Sequence, residues 1–341
     1  MPTPLGTSRA SLKDWLFALA SLAFTAGLFV DGWAHNHLPS ALETFFTPWH
    51  ALFYAGFFLC AGVPLLWTLH RRKHVQSWQE AVPPGYGYSL LGAAVFAIGG
   101  ISDMAWHTLF GVEADIEALL SPTHLLLATG MTLLVSGGMR ATWEGRKLRP
   151  SEGLLSSLPF LLSVACTMGA MLFMTQFGHY TDLEAGPLPP TDPELASHIQ
   201  ALSVLGILLF SVIITGTFAV ALRRGFLPFG GITVVLGLVI AGLSFMRSGR
   251  ELILPAITAG LMSDLFLLTV RDSLHPVARL RVFCFLLPAV YQALAMLVVI
   301  QTHGLWWSVH MWTGVIVLAG MAGLLTSVIA WPGSAYRPEV R

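Results

Sequence analysis

Ten runs of about twenty mostly apolar residues constrain this chain more than any other feature, because each is long enough to cross a bilayer as one helix. Backbone in hydrocarbon must satisfy its own hydrogen bonds, so such runs fold as helices. They fall at 14–34, 49–69, 86–106, 121–139, 154–176, 199–221, 229–246, 252–270, 282–301 and 311–331. Composition agrees. The 341 residues are 55% hydrophobic and 11% charged, with a mean hydropathy of +0.71. A soluble domain carries about 25% charged residues, so an ordinary soluble enzyme and a disordered chain are both excluded. Lys+Arg and Asp+Glu are each 18, so no net basic charge draws the chain to nucleic acid. The expected fold class is all-α: a polytopic integral membrane bundle of about ten transmembrane helices, one transmembrane domain over residues 1–341. No short apolar stretch with a small-residue cleavage site opens the sequence, so the first span is expected to be a retained anchor. Cys60, Cys166 and Cys284 are far apart in apolar runs and form no CxxC, as buried small hydrophobes would.

The loops set the expected orientation. Arg9 and Lys13 precede span one; Arg71, Arg72 and Lys73 follow span two; Arg140, Arg146, Lys147 and Arg149 follow span four. Arg223 and Arg224 follow span six, Arg271, Arg279 and Arg281 follow span eight, and Arg337 and Arg341 follow span ten. All 18 basic residues except Arg247 and Arg250 thus lie on one side, which the positive-inside rule makes cytoplasmic, with both termini inside. A bacterial inner (plasma) membrane is the expected location. The opposite face collects acids, among them Asp31, Glu43, Asp103, Glu113, Asp115, Glu117, Asp182, Glu184 and Glu251. It also collects His35, His37, His50, His107, His124, His179, His198, His303 and His310, leaving only three of 12 histidines (His70, His74 and His275) inside. Trp33, Trp49, Trp106, Trp306, Trp307 and Trp312 at that boundary read as an interfacial aromatic belt.

The polar residues at this face recur in order. Asp31-x3-His35 closes span one, and Glu43-x4-Pro48-x-His50 opens span two. Asp103-x3-His107 closes span three, and Glu117-x4-Pro122-x-His124 opens span four, with two extra loop residues. The order predicts a duplicated two-helix hairpin, over 14–69 and 86–139, each carrying DxxxH…ExxxxPxH. Residues i and i+4 share a helix face, so each Asp and its His point together. The His in the first turn of the returning helix comes back beside them. Two imidazoles and a carboxylate then meet at one point, a donor set that suits copper, zinc or iron. Three ligands with an open fourth position are typical of a catalytic metal site. The candidate ligands are Asp31, His35, His50, Asp103, His107 and His124. Glu43, Glu117, His179, His198, His303 and His310 are additional or outlying candidates, with His179/His198 and His303/His310 as weaker copies of the pattern. His37 is read as a loop residue outside the site. Asp264, inside span eight, is either an ion station or a partner of a neighbouring Ser, Thr or Arg. The proline-bearing loop 177–198 is read as a lid or a spacer.

Asp-x3-His followed by a downstream His resembles the copper-site motif in the C subunit of membrane-bound methane and ammonia monooxygenases. On that resemblance, Asp103, His107 and His124, or Asp31, His35 and His50, would hold copper near the outer face. The match spans about twenty residues per copy, with a longer His-to-His spacing and a different span count.

Three functions follow from these residues. The first is a membrane metalloprotein with an outer-face His/Asp site, copper favoured over zinc or iron, including a membrane oxidoreductase. The second is a metal-ion or proton-coupled permease, in which Asp264 is a deeper station. The third is a b-type cytochrome with two histidines on haem, less favoured because acid surrounds the histidines. Whether the chain is an enzyme stays open at this level. GxxxxGK[ST] and HExxH are absent, which weakens ATP-driven transport and zincin proteolysis. Lipid and a metal ion are the expected partners, with self-association or a membrane complex open; nucleic acid is not expected.

Overall fold

The computed structural model describes residues 10–38, 46–111, 116–145, 153–178, 186–224, 227–247 and 249–332, and the described residues contain helices and connections but no strand. The helices are α1 (Leu12–His37), α2 (Pro48–Arg72), α3 (Trp78–Ala81), α4 (Gly87–Phe110), α5 (Glu117–Leu120), α6 (Pro122–Val135) and α7 (Gly137–Gly145). They continue as α8 (Leu154–Phe173), α9 (Pro193–Arg224), α10 (Gly231–Arg247), α11 (Ile253–Thr269), α12 (Pro276–Thr302) and α13 (Val309–Ala330). Nine segments among the described residues are long and apolar enough to span a membrane, and α10, at 17 residues, is a shorter apolar helix. The protein is therefore a polytopic all-α bundle, with every expected span answered by a helix.

Polar caps start several of these helices where the sequence turns apolar. Ser11 and Asp14 form a reciprocal capping box on α1. Thr47 and Ser121 cap α2 and α6, each followed by proline at the first helical position, where a missing N–H costs nothing. Gly111 ends α4 at φ 86°, a backbone region open to glycine.

Three boundaries differ from expectation. The fourth span breaks at Ser136, before Gly137 and Gly138, into α6 and α7. Arg140 stitches the break: it donates to Leu133 O at 2.8 Å, Ser136 Oγ at 2.5 Å and Gly85 O at 3.0 Å. Helix α9 begins at Pro193, before the expected edge at 199, so His198 lies on a helix and the preceding connection is shorter than the sequence suggested. At 1.5 Å per residue this helix is about 48 Å long, more than a hydrocarbon core requires. His37 is also helical, the last residue of α1; its ring stacks on Trp33 and its Nδ1 donates to Trp33 O at 2.9 Å.

Two apolar cores hold the bundle. One lies among α1, α2, α4, α6 and α8, and the other among α8 to α13, so α8 belongs to both. In the first, α1 pairs with α2 and α4 with α6. A hypothetical Cβ on Gly56 would stand 2.6 Å from Phe24 Cα, and one on Gly27 2.9 Å from Phe53 Cα. In the second hairpin, Gly130 would meet Phe96 N at 2.5 Å and Gly99 would meet Leu127 at 3.2 Å. Both hairpins thus cross nearly backbone to backbone, at corresponding positions. Phe96 joins them, stacking on Phe57 at 4.5 Å and meeting Phe24 edge-on at 5.0 Å.

Candidate metal centre

The close crossings aim the polar residues. Counting from Phe24 along α1, Gly27, Asp31 and His35 follow at steps of three, four and four; Phe96, Gly99, Asp103 and His107 repeat this on α4. Such steps stay on one helix face, so the face that contacts its partner through glycine also carries the carboxylate and imidazole one and two turns on. The partner helix begins with Thr47-Pro48-x-His50 or Ser121-Pro122-x-His124, and the cap fixes where its first turn lies. Thr47 Oγ1 accepts from His50 N at 3.2 Å, and Ser121 Oγ from His124 N at 3.4 Å.

Two clusters result, Asp31 with His35 and His50, and Asp103 with His107 and His124, each with its donor atoms within 4.8 Å of one another. In the first, His50 Nε2 lies 3.3 Å from Asp31 Oδ1, His35 Nε2 3.8 Å from Asp31 Oδ2, and the two Nε2 atoms 3.3 Å apart. In the second, His107 Nε2 lies 3.3 Å from Asp103 Oδ2, and His124 Nε2 3.2 Å from Asp103 Oδ1. A tetrahedral ion with ligands at about 2.0–2.1 Å has donor–donor edges of about 3.3 Å. The spacing therefore fits a bound ion. It also fits a shared proton, since two imidazole nitrogens 3.3 Å apart need one or the other between them.

Hydrogen bonds behind the rings select the ligating nitrogen. His107 Nδ1 lies 3.3 Å from Gly111 O; a carbonyl only accepts, so Nδ1 carries a proton, and Nε2 is the nitrogen turned towards the cluster. His124 Nδ1 is held by Ser121 Oγ at 2.9 Å. Asp103 faces the Nε2 atoms, so it stands among the donors and does not orient His107 through the ring's other nitrogen. Thr123 donates to Asp103 Oδ1 at 2.8 Å. Trp49 occupies the matching position in the first cluster. There Asp31 Oδ1 is buried and accepts no hydrogen bond, and the buried Trp49 indole N–H donates none. The second cluster is also the more enclosed, with Asp103 7% and Asp31 13% exposed at the side chain.

The four histidines do not form one shared centre. Each Asp is reached by the imidazole one turn on and by the one across its own hairpin. The two clusters are neighbours, with Asp31 and His124 within electrostatic reach and Tyr54 within reach of both carboxylates. Tyr54 also packs beside Gly100, one turn from Asp103.

The remaining candidates lie elsewhere. Glu117 opens α5, exposed and outside both clusters. His198 and His310 are exposed and join no cluster of three donors among the described residues. His303, at the end of α12, pairs with Glu251 at 2.9 Å. Glu43 and His179 lie outside the described residues. Asp264 accepts from Ile232 N, Thr233 N and Thr233 Oγ1 at 2.7–3.2 Å, tying α11 to the start of α10. Of the belt tryptophans, Trp307 is 5% exposed and belongs to the apolar core.

A haem does not fit between either pair of rings. Axial nitrogens across an iron leave the macrocycle between them, and here a carboxylate stands within 3.8 Å of the same nitrogens. The capping residues Thr47 and Ser121 and the crossing glycines were present in the sequence at matching positions in the two stretches, whereas the acceptor Gly111 has Pro39 as its counterpart. No protein family, curated protein or solved structure matches the chain.

Proposed function

We propose that the chain is an integral membrane metalloprotein that holds one transition-metal ion in each of two neighbouring Asp-His-His clusters, on hairpins derived from one duplicated unit. The ligands are Asp31, His35 and His50 in one site and Asp103, His107 and His124 in the other. The observation that carries this is the edge length: donor atoms of unlike helices stand 3.2–3.3 Å apart in both clusters, about the separation a four-coordinate ion imposes. Copper is favoured, because imidazole with carboxylate suits it and it tops the divalent affinity order. Bound copper would supply one-electron chemistry at an open coordination position, the basis for an oxidoreductase. The permease reading loses its deeper station, since Asp264 already accepts three hydrogen bonds from the start of α10. Metal analysis of the purified chain and of cells expressing it separates the two: a metalloprotein retains its ions without changing cellular metal content.

The clusters are assigned to the outer face, with both termini cytoplasmic, on the basic-residue asymmetry. Reporter fusions after residues 115 and 190 are expected to report a non-cytoplasmic location; a cytoplasmic signal at either reverses the orientation.

The groups around the second site grade its affinity. Thr123→Val removes a hydroxyl that holds Asp103 without touching the ion, and is expected to weaken metal binding there about 10–100-fold. Asp103→Asn removes a charged ligand and is expected to cost more. Equal affinities of Asp103→Asn and wild type, measured by competition with a chelator, would take Asp103 out of the ligand set.

A further inference from the structure

Arg247 and Arg250 are the basic residues assigned to the clusters' side of the bundle, against the general asymmetry. Arg250 is exposed, whereas Arg247 is half-buried at the end of α10. Arg247 lines a cavity of about 50 Å³ among α8, α9, α10 and α12. This is the clusters' end of the bundle: Asn36, next to His35, donates to Met246 O, next to Arg247, at 3.4 Å. The wall is graded. On α10, Ile240, Leu243, Ser244 and Arg247 line it at steps that share one helix face. Ile240 lies about 10 Å along the axis from Arg247, at 1.5 Å per residue. Polar groups gather at the Arg247 end. Its Nη1 donates to Gln176 O, and Ser244 Oγ donates to Gly249 O at 2.8 Å; all four residues line the cavity. Thr175 lines it too, its hydroxyl committed to Leu172 O at 2.9 Å. On α9, Gly206 packs against Gly178, and Phe210 lies one turn further in.

A cationic end and an apolar interior specify an anionic head with a hydrocarbon tail. Among the described residues no acidic side chain and no second basic one line the cavity, so Arg247 sets its sign. A guanidinium keeps its charge and pairs with a carboxylate through two parallel N–H bonds. A bare inorganic oxyanion would turn oxygens onto apolar wall, where losing hydration is costly. A plain hydrocarbon would make no use of Arg247. The volume admits about four water-sized units, which keeps the tail to about three carbons. We infer that this cavity binds a short-chain aliphatic monocarboxylate, its carboxylate on the Arg247 guanidinium and its tail against Phe210, Ile240 and Leu243. Metal at the two clusters plays no part in this binding.

The test uses the full chain in phosphatidylcholine nanodiscs, stripped of metal with a chelator so that no ion at the clusters can take up a carboxylate. ¹⁹F NMR follows 4,4,4-trifluorobutanoate, with 4,4,4-trifluorobutan-1-ol as a neutral probe carrying the same tail. Empty nanodiscs set the lipid background. Saturable binding of the carboxylate is expected, at least about ten-fold tighter than the alcohol and at least about ten-fold weaker in Arg247→Gln, the scale of one charge-assisted pair. Arg250→Gln is expected to leave the affinity unchanged. Butanoate is expected to displace the probe at lower concentration than acetate, and Leu243→Phe, which narrows the tail's place, to remove that preference. If Arg247→Gln does not fold, the carboxylate–alcohol comparison on wild type and Leu243→Phe decide. No saturable binding, or equal affinity for both probes, would mean that the cavity does not select an anion. An unaffected Arg247→Gln, or an equal loss in Arg250→Gln, would reduce the attraction to diffuse surface charge. Acetate displacing the probe as well as butanoate would take the apolar wall out of the site. Each of these results overturns the proposal.

Discussion

Purified full-length chain equilibrated with Cu²⁺ or Zn²⁺ is expected to take up two ions, and single histidine substitutions are expected to remove them one at a time. His50→Ala deletes one of three donors from the first cluster and leaves the second hairpin's donors in place, so one ion should remain. His124→Ala should do the reverse, and the double variant should bind none. The loss per site should exceed the about 100-fold that removing a group behind a ligand costs, because a direct bond to the ion disappears. The sites need not be equal. Asp31 Oδ1 is buried without a hydrogen bond, whereas Asp103 Oδ1 is already held by Thr123. Support of a ligand raises affinity, so the second site, where Thr123 holds Asp103, should fill first. One ion per chain, lost equally in His50→Ala and His124→Ala, would mean one shared centre. Folded wild-type protein that takes up no copper, zinc or iron would end the metal reading.

Acid is expected to release the ions steeply. A histidine binds metal through a neutral ring, and free imidazole protonates near pH 6.5. Each site has two imidazoles, so two protons compete with each ion. Affinity should therefore be level above neutrality, begin to fall below about pH 6, and drop towards about 100-fold per pH unit in the acid limb. The sign is fixed: protons and metal compete for the same Nε2 lone pairs. Equilibrium dialysis at a series of pH values reads the slope. A flat profile between pH 7 and 5 would mean that the imidazoles are not ligands. The four-His variant (His35, His50, His107 and His124 all to Ala) should show no such limb.

Much of this was legible in the sequence, because a bilayer leaves few alternatives for apolar runs of about twenty residues. The ten spans answer to helices. The triads were legible too: Asp31/His35 and Asp103/His107 are one helical turn apart whatever the rest of the fold does, and a short return brings His50 and His124 back beside them. Local periodicity determined which residues could meet within a hairpin. It did not reach further. Whether the hairpins merge into one four-histidine centre depended on their register against each other, which the packing of Phe96 on Phe24 and Phe57 helps set. Asp264 was ambiguous in sequence because its partners, Ile232 and Thr233, are about thirty residues away on another helix. The partner of His303 was not legible because Glu251 is 52 residues distant. Ser136 broke a span that hydropathy alone made continuous, since hydropathy does not record where Arg140 turns back on the carbonyls of its own helix. The sequence by itself determined which side chains lie one turn apart. Only the tertiary structure decided which of them share a site, because contacts between helices are set by side-chain volume and close approach of backbones, which periodicity along one helix does not encode.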